Sequence, residues 1–240
     1  MDMPIDIQNQ AMGYDRAATM FSPEGHLLQV EYAEKTVRLG SSSIGMICSD
    51  GVFILADKRI KDKLISPRSS SKVHEIDGHI IASVAGIVAD ARVLIDRARV
   101  LAQQHRVTYD SEIEPELIIK EISDIKQQFT QYGGARPFGV ALMIAGLNSK
   151  KPELYTSDIT GNYFSYYANA IGENDDKIKE LLKEKYQKEL TIKEGIKLAL
   201  EIFKNVLGSE FNIERFELCV LKSEEKLKRM QGRAIEDYTK

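Results

Sequence analysis

Residues suited to recognising a partner lie close to the start of the chain. Tyr14, Asp15 and Arg16 form a polar loop, and Pro23 stands in a turn shortly before a helical segment that carries Tyr32. A tyrosine offers a rigid ring and a hydroxyl, which suits it to packing around a turn that proline fixes. A segment that needs only to fold does not require this combination. The alternative interpretation is an ordinary N-terminal tether, with Tyr32 on the apolar side of its helix.

The histidines and cysteines do not form a pattern typical of a metal site. The four histidines, at positions 26, 74, 79 and 105, include no pair at i, i+4 spacing and have no cysteine nearby. Cys48 and Cys219 each lie in an apolar run, which predicts buried, reduced thiols, with a disulfide as the alternative. We therefore expect no metal and no cofactor.

Composition limits the classes of partner. The chain has 240 residues, of which 43% are hydrophobic and 29% charged, as is typical of a globular domain. Its formal charge is −3 without a long basic block, so no nucleic-acid partner is expected. The longest apolar run, 140–147, is too short to span a membrane. The N-terminus lacks a basic and then apolar leader, which predicts a cytoplasmic protein.

Hydrophobic periodicity predicts a helix followed by two hairpins in the first part of the chain. Residues 26–39 carry apolar side chains at helical spacing, and Gly40 stands where a left-handed residue would end that helix. Asp50-Gly51 is a strong hairpin signal between two nearly continuous apolar runs, so both faces of this sheet should be covered. The predicted strands of this part are 43–49, 52–56, 72–76 and 79–85.

The remaining elements repeat the theme, and together they predict an α+β fold. Two helices, three strands, two more helices and a closing strand follow, at about 91–102, 115–129, 138–147, 153–157, 162–168, 175–187, 192–207 and 216–222. Two antiparallel sheets stacked between helix pairs would cover all these apolar faces, which is a four-layer αββα sandwich. We expect one domain over 13–222, a flexible segment at 1–12, and a charged C-terminal tail at 223–240 that is a frayed helix or solvated.

Residues 13–37, GYDRAATMFSPEGHLLQVEYAEKTV, resemble the N-terminal motif of α-type subunits of the 20S proteasome, and the resemblance continues to about residue 222. It implies the N-terminal nucleophile hydrolase fold in a subunit without catalytic activity. Seven such subunits form a ring that stacks on β subunits and admits unfolded proteins to their proteolytic chamber. The Lys-, Glu- and Ile-rich composition suggests an archaeal member.

The resemblance also assigns gate and pore residues. It implies that the segment before Tyr14 closes the ring, and that Tyr14 and Asp15, with Arg16 beside them, are held by Pro23 and Tyr32 when the gate opens. A loop that ends the second helix of the first pair is similar to the loop that lines the pore of α rings. Its residues are Tyr132, Gly133, Gly134, Arg136 and Pro137. A helix end followed by the start of a strand is the plainer interpretation, and both can hold together.

Lys72 and Gly40 are the candidates for docking an activator. In α subunits the lysine that Lys72 matches pairs with the C-terminal carboxylate of an ATPase activator's hydrophobic-Tyr-any tail, and Gly40 lines the same pocket. An ammonium in a partly desolvated pocket is suited to capturing a chain end. The alternative is an ordinary exposed lysine on an edge strand, where it would discourage edge pairing.

A catalytic interpretation remains as an alternative. The β subunits of the family expose their nucleophile by cleavage after a glycine, and this chain has Gly40-Ser41 at that place, with Asp57 and Lys72 at the positions of the β-type acid and lysine. A self-processed serine amidohydrolase with Ser41 as nucleophile would follow. As the chain is written, 40 residues precede Ser41, so its nitrogen is an amide and cannot act as a base. A standalone ring that acts as a binding or assembly module is a third option.

The chain departs modestly from the family pattern. Glu34-Lys35 replaces the basic-then-acidic pair of some relatives, which puts salt bridges at that end of the helix in doubt. The tail at 223–240 has no clear family match.

Overall fold

The computed structural model describes residues 9, 11–59, 64–65 and 70–240. In this part of the chain, ten strands form two five-stranded antiparallel sheets. The strands are β1 (Ser43–Cys48), β2 (Gly51–Asp57), β3 (Val73–Asp77), β4 (Ile80–Gly86), β5 (Val140–Asn148), β6 (Lys151–Ser157), β7 (Tyr163–Ser165), β8 (Ala168–Ile171), β9 (Phe216–Leu221) and β10 (Lys228–Gln231). Sheet I has the order β10-β9-β2-β1-β8, and sheet II the order β3-β4-β5-β6-β7.

Five of the described helices cover the outer faces of the sheets, and the first helix packs against the cluster between them. Within the described residues the helices are α1 (Leu28–Leu39), α2 (Val88–Tyr109), α3 (Pro115–Gln131), α4 (Asp175–Lys185), α5 (Ile192–Leu207) and α6 (Arg233–Thr239). One apolar cluster joins α2 and α3 to sheet II, a second joins α4, α5 and α6 to sheet I, and a third lies between the sheets. The predicted four-layer αββα sandwich is confirmed.

The burial of the strands agrees with the prediction that both faces of the sheet are covered. Every residue of β2 is buried, because a helix layer covers one face of sheet I and sheet II covers the other. The predicted hairpin between β1 and β2 is present, but Cys48 pairs with Gly51, so the turn lies on Ser49 and Asp50. Position 51 requires a glycine, because a Cβ there would lie 2.2 Å from the carbonyl oxygen of Leu221 on β9.

Gly40 ends α1 for a different reason from the one predicted. Its backbone is extended, with φ −72° and ψ 141°, so the left-handed conformation expected from the sequence is wrong. A Cβ on Gly40 would lie 2.5 Å from the backbone nitrogen of Gly86 at the end of β4. The glycine is therefore required by a close approach between two backbones.

The C-terminal tail is ordered, which contradicts the expectation of a frayed helix or a solvated segment. Strand β10 pairs with β9 in antiparallel register, and α6 follows it directly. Ile235 of α6 is 0% exposed and belongs to the apolar cluster beneath α5. Met230, Ile235 and Tyr238 pack in this cluster, and Leu227 packs against the cluster between the sheets, so apolar side chains attach a segment that is otherwise strongly charged.

Two further expectations concern cysteine chemistry and membranes. Cys48 and Cys219 are both buried and free, as predicted, and burial raises the pKa of each thiol to about 12. Among the described helices, none combines the length and apolar character needed to cross a bilayer.

Candidate functional site

Lys72 occupies the junction between the two sheets. It directly precedes β3, the edge strand of sheet II, and its side chain reaches the residues that lead into β1 of sheet I. The Nζ atom donates to the Ser41 hydroxyl at 2.6 Å and also contacts the Ser41 carbonyl oxygen. Lys72 is therefore not the freely exposed edge lysine of the alternative interpretation.

The electrostatic setting of Lys72 favours the neutral amine. Burial lowers the pKa of Lys72 to about 7, the carboxylate of Asp57 opposes this shift, and the nearby Arg59 guanidinium adds to it. Arg59 itself forms an ion pair with Glu173. An additional carboxylate beside Lys72 would favour its charged form, so an arriving anion would promote protonation of the amine.

The Gly40–Ser42 segment is held against the segment that follows β8. The backbone nitrogen of Glu173 donates to the Gly40 carbonyl at 2.7 Å, and the Ser42 hydroxyl donates to the Glu173 carbonyl. Gly172 has φ +98°, and a Cβ on it would lie 2.6 Å from the Ser41 carbonyl oxygen. Sequence reasoning does not single out Gly172 and Glu173, because they act through backbone contacts with residues about 130 positions away.

Asp57 does not join Ser41 and Lys72. Its buried carboxylate accepts two hydrogen bonds from the Arg215 guanidinium, at 3.0 and 2.5 Å, and one from the backbone nitrogen of Arg59 at 3.0 Å. Asp57 acts on Lys72 through its charge only. Of the three residues in the catalytic alternative, the structure brings Ser41 and Lys72 into contact and pairs the third with a different cation.

The predicted gate residues lie along the start of α1. Tyr14, Asp15 and Arg16 form one short 3-10 turn after Gly13, and the side chain of Gln29 donates to the Asp15 carbonyl at 2.5 Å. Gln29 is a contact that the sequence analysis does not identify. The predicted flexible segment 1–12 lies outside the described residues except at positions 9, 11 and 12.

Pro23 lies in the predicted turn, which is closed by hydrogen bonds on both sides. The backbone nitrogen of Gly25 donates to the Ser22 carbonyl at 2.9 Å, and that of Ser22 donates to the His26 carbonyl at 2.8 Å. Tyr32 is half-buried on α1, with the Lys35 ammonium 5.2 Å from the centre of its ring. Pro23 and Tyr32 thus flank the first turns of α1, on the same part of the chain as the Tyr14 loop.

The predicted pore loop follows α3 and is anchored at one residue. Tyr132 is 62% exposed, and a Cβ on either Gly133 or Gly134 would meet open space. The Arg136 guanidinium forms two parallel hydrogen bonds with Asp90 of α2, at 2.6 and 2.7 Å, immediately before Pro137. These hydrogen bonds, followed by one from the backbone nitrogen of Gly139, hold the pKa of Asp90 below its ordinary value despite burial. Asp90 is a second contact that sequence reasoning misses.

A cavity of about 270 Å³ lies elsewhere, between α1 and the ends of β6 and β8. Its polar lining includes Thr156, Asn169, Asp175 and Lys179. Its lining includes none of the residues predicted for the gate, the pore or docking.

Two family models for known proteins match this chain, one at its N-terminal segment and one over most of the remainder. Residues 37–221 match the family model for proteasome subunits, and residues 14–35 match the N-terminal signature of the A-type proteasome subunits. The chain belongs to the proteasome subunit family, on its α branch. The resemblance carried by residues 13–37 is thereby confirmed.

Archaeal members of this family are similar over most of their length. The proteasome alpha subunit of Thermococcus sibiricus is 46% identical over 214 residues, which cover 89% of this chain and 82% of the relative. That of Methanocaldococcus jannaschii is 46% identical over 87% and 79% of the two chains, and that of Pyrococcus horikoshii is 43% identical over 94% and 86%.

Proposed function

We propose that this chain is a non-catalytic proteasome α subunit that forms a heptameric ring, gates the passage of unfolded proteins to a chamber of β subunits, and docks ATPase activators at Lys72. Membership of the α branch supports assembly with other proteasome subunits, in the cytoplasm. The observation that carries the docking function is the position of the Lys72 ammonium beside Ser41 and Gly40.

The proposal that this subunit is not catalytic is supported by the chemistry of Ser41. Its nitrogen belongs to the Gly40–Ser41 peptide bond, and a nucleophile of this fold needs a free α-amine as its base. The helix before it also occupies the space at the end of the sheets. Val37 of α1 packs into the cluster between the two sheets, and Thr36 donates to the Gly139 carbonyl at 3.1 Å. These contacts support a helix that stays attached and covers the cleft.

Docking at Lys72 would use the carboxylate at the end of an activator's hydrophobic-Tyr-any tail. A charged hydrogen bond of this kind is stronger where water is partly excluded, and Lys72 is partly buried. Gly40 has no side chain to obstruct the tail, and its backbone is already fixed by Gly86 and Glu173. The arriving carboxylate would add to, or replace, the oxygen atoms that Ser41 now offers.

The gate and pore roles fall on two segments of the chain, one at its N-terminal end and one after α3. We assign residues 1–12 to the closing segment. The domain of residues 13–222 is completed by β10 and α6, which join sheet I and its apolar cluster. Tyr14, Asp15, Arg16, Pro23 and Tyr32 would hold the open state. Tyr132, Gly133, Gly134, Arg136 and Pro137 would line the passage, where the Asp90 pair fixes the direction of Arg136.

The docking proposal is tested with Lys72→Ala in particles reconstituted with a β-type partner. We expect the variant to lose stimulation of peptide hydrolysis by a hydrophobic-Tyr-any tail peptide, while unstimulated hydrolysis stays unchanged. Lys120→Ala is the control, since Lys120 is an exposed lysine of α3 that pairs with Asp124 one turn along the same helix. Normal stimulation of the Lys72→Ala particle would remove Lys72 from this role.

The contact between Ser41 and Lys72 also favours one other function, a self-processed serine amidohydrolase. The 2.6 Å separation of the hydroxyl and the amine is suitable for activating a nucleophile. Treating the purified chain with an electrophilic serine probe discriminates between the two functions. The α-subunit function predicts no label on Ser41, and the hydrolase predicts label that is lost in Ser41→Ala.

A further inference from the structure

Glu217 is a buried carboxylate near the docking lysine, and neither the gate nor the pore involves it. It lies on β9 of sheet I, opposite Ala56 of β2 and Gln231 of β10, and is 0% exposed. A buried carboxylate is costly unless it is paired and hydrogen-bonded, so its partners indicate what it holds in place.

The partners of Glu217 come from two directions. On one side, the carboxylate accepts from the Ser71 hydroxyl at 2.7 Å and from the backbone nitrogens of Lys72 and Val73 at 2.9 and 3.5 Å. On the other side, it accepts from the Arg229 guanidinium at 2.7 Å. The same nitrogen of Arg229 donates to the Ser71 hydroxyl at 2.5 Å. The main chain at Lys72 is therefore held by a charge pair that lies beneath it.

This charge pair adds a polar connection between the two sheets, which also pack through the apolar cluster between them. Glu217 and Arg229 are on adjacent strands of sheet I, whereas Ser71 to Val73 lead into the edge strand of sheet II. Ser41, which the Lys72 amine contacts, leads into β1 of sheet I. The distance between the amine and Ser41 thus depends on how the start of β3 is fixed to sheet I, and Glu217 fixes it there.

We propose that Glu217 and Arg229 are positioning residues for Lys72. Their pairing holds the main chain at the start of β3, so that the Lys72 amine is presented beside Gly40 and Ser41 for a tail carboxylate. The C-terminal segment 223–240, which supplies Arg229, is accordingly part of the docking apparatus. This inference rests on the docking function proposed above.

Arg229→Met is the first test, because Arg229 is partly exposed and its loss removes the cation while Glu217 keeps its hydrogen bonds from Ser71 and from the Lys72 backbone. In reconstituted particles we expect the tail-peptide concentration for half-maximal stimulation to rise about tenfold. At metal sites, removing a residue that orients a ligand lowers the affinity by about tenfold or more, and we expect a similar effect here. Maximal stimulation should stay close to the parent value, since Lys72 itself remains. Arg229→Lys, which keeps the charge, should restore much of the affinity.

Arg233→Met is the matched control within the same segment. Arg233 pairs with Glu214 at 3.3 Å on the surface, away from Ser71 and Lys72, so its loss should leave the half-maximal concentration unchanged. An equal effect of Arg229→Met and Arg233→Met would show that the segment contributes only general stability, and would overturn the positioning role.

The outcomes separate this inference from the docking proposal. If Lys72→Ala abolishes stimulation while Arg229→Met behaves as the parent, docking stands and positioning is wrong. If Lys72→Ala has no effect, docking itself fails and positioning falls with it. A second measurement needs no assembled particle: the rate at which an amine reagent modifies Lys72 in the full α chain. Release from Ser41 predicts faster modification in Arg229→Met and in Glu217→Gln, and unchanged rates in both would overturn the inference.

Discussion

The amine of Lys72 lies 2.6 Å from the hydroxyl of Ser41, so the residue before the edge strand of sheet II contacts the residues that lead into the first strand of sheet I. The two residues are 31 positions apart in the chain. Their contact defines the site on which the docking proposal and the catalytic alternative both depend, and the state of the Ser41 nitrogen separates these two interpretations.

We predict that tail docking weakens as the pH rises above neutrality. Burial lowers the pKa of Lys72 to about 7, and only the charged ammonium attracts a carboxylate. Above that pKa, each pH unit lowers the affinity by up to about tenfold until the pKa of the tail-bound amine is reached. Titrating a tail peptide against the particle between about pH 6 and about pH 8.5, at constant ionic strength, measures this dependence.

Lys72→Arg provides the control for this pH dependence, because a guanidinium stays charged over the whole range. Any affinity that this variant retains should not vary with pH. If the affinity of the parent particle is also independent of pH, the Lys72 amine is charged over the whole range, which would contradict the electrostatic account of the site.

Gly40→Ala should damage both the fold and the site. The added Cβ would lie 2.5 Å from the Gly86 nitrogen and 3.2 Å from the Ala85 carbonyl carbon, and backbone atoms cannot rotate away as a side chain can. We expect the free energy of unfolding to fall by about 2 kcal/mol, as for overpacked cores, measured by urea unfolding. Gly133→Ala is the matched control, since its Cβ would meet open space. Equal stability of the two variants would contradict the proposed close approach.

A second buried lysine, Lys126 of α3, affects stability rather than docking. It is 0% exposed and donates to the Asp158 carbonyl at 2.9 Å and to the carbonyl and hydroxyl of Ser157 at 3.3 Å each. Burial lowers its pKa to about 7, against the opposing charge of Asp158. In the unfolded chain the amine keeps its proton up to its ordinary pKa of 10.5.

The sign of the pH effect follows from these two values. Between about pH 7 and about pH 10.5 the unfolded state binds more protons at Lys126 than the folded state does, so this lysine makes the free energy of unfolding rise with pH. The slope is at most about 1.4 kcal/mol per pH unit, and it is lost as the pH falls through 7. Lys126→Met should have a smaller slope than the parent in urea unfolding over this window. Lys72 contributes equally to both chains, so identical slopes would contradict the assignment to Lys126.

Deleting residues 2–12 should open the gate. If this segment closes the ring, its removal raises hydrolysis of peptides and disordered proteins by the reconstituted particle, and lowers the further stimulation obtained from a tail peptide. The measurement is the unstimulated rate per particle, with particle assembly checked by native mass. Unchanged rates in intact particles would count heavily against a gate at this end of the chain.

Local patterns were sufficient to predict the sandwich, because its elements are marked by patterns within short stretches. The continuous apolar run of β2 indicated cover on both faces, and Asp50-Gly51 indicated the hairpin. The prediction for the tail is wrong because its few apolar side chains, dispersed among charges, do not form a recognisable period. Their burial depends on the surface that α5 and β9 present, which local sequence does not show.

The site was predictable in its residues but not in its contacts. Gly40 and Lys72 could be named from the family resemblance, whereas their neighbours could not. Glu217 lies 145 positions from Lys72 and Glu173 lies 131 positions from Ser42, and no periodicity connects residues at such separations. Local sequence predicts a left-handed glycine at the end of α1, but Gly40 is extended. A glycine is needed there because the Gly86 backbone lies close to it, which is a tertiary contact.

The most direct test of the account is the intact mass of the chain recovered from assembled particles. An α-type chain that keeps its first 40 residues should have a mass near the 27.0 kDa of the whole chain, with Gly40 still joined to Ser41. A shorter chain that begins with Ser41 and carries a free amine would make this residue a candidate nucleophile, and would contradict the proposal that the chain acts as a gate.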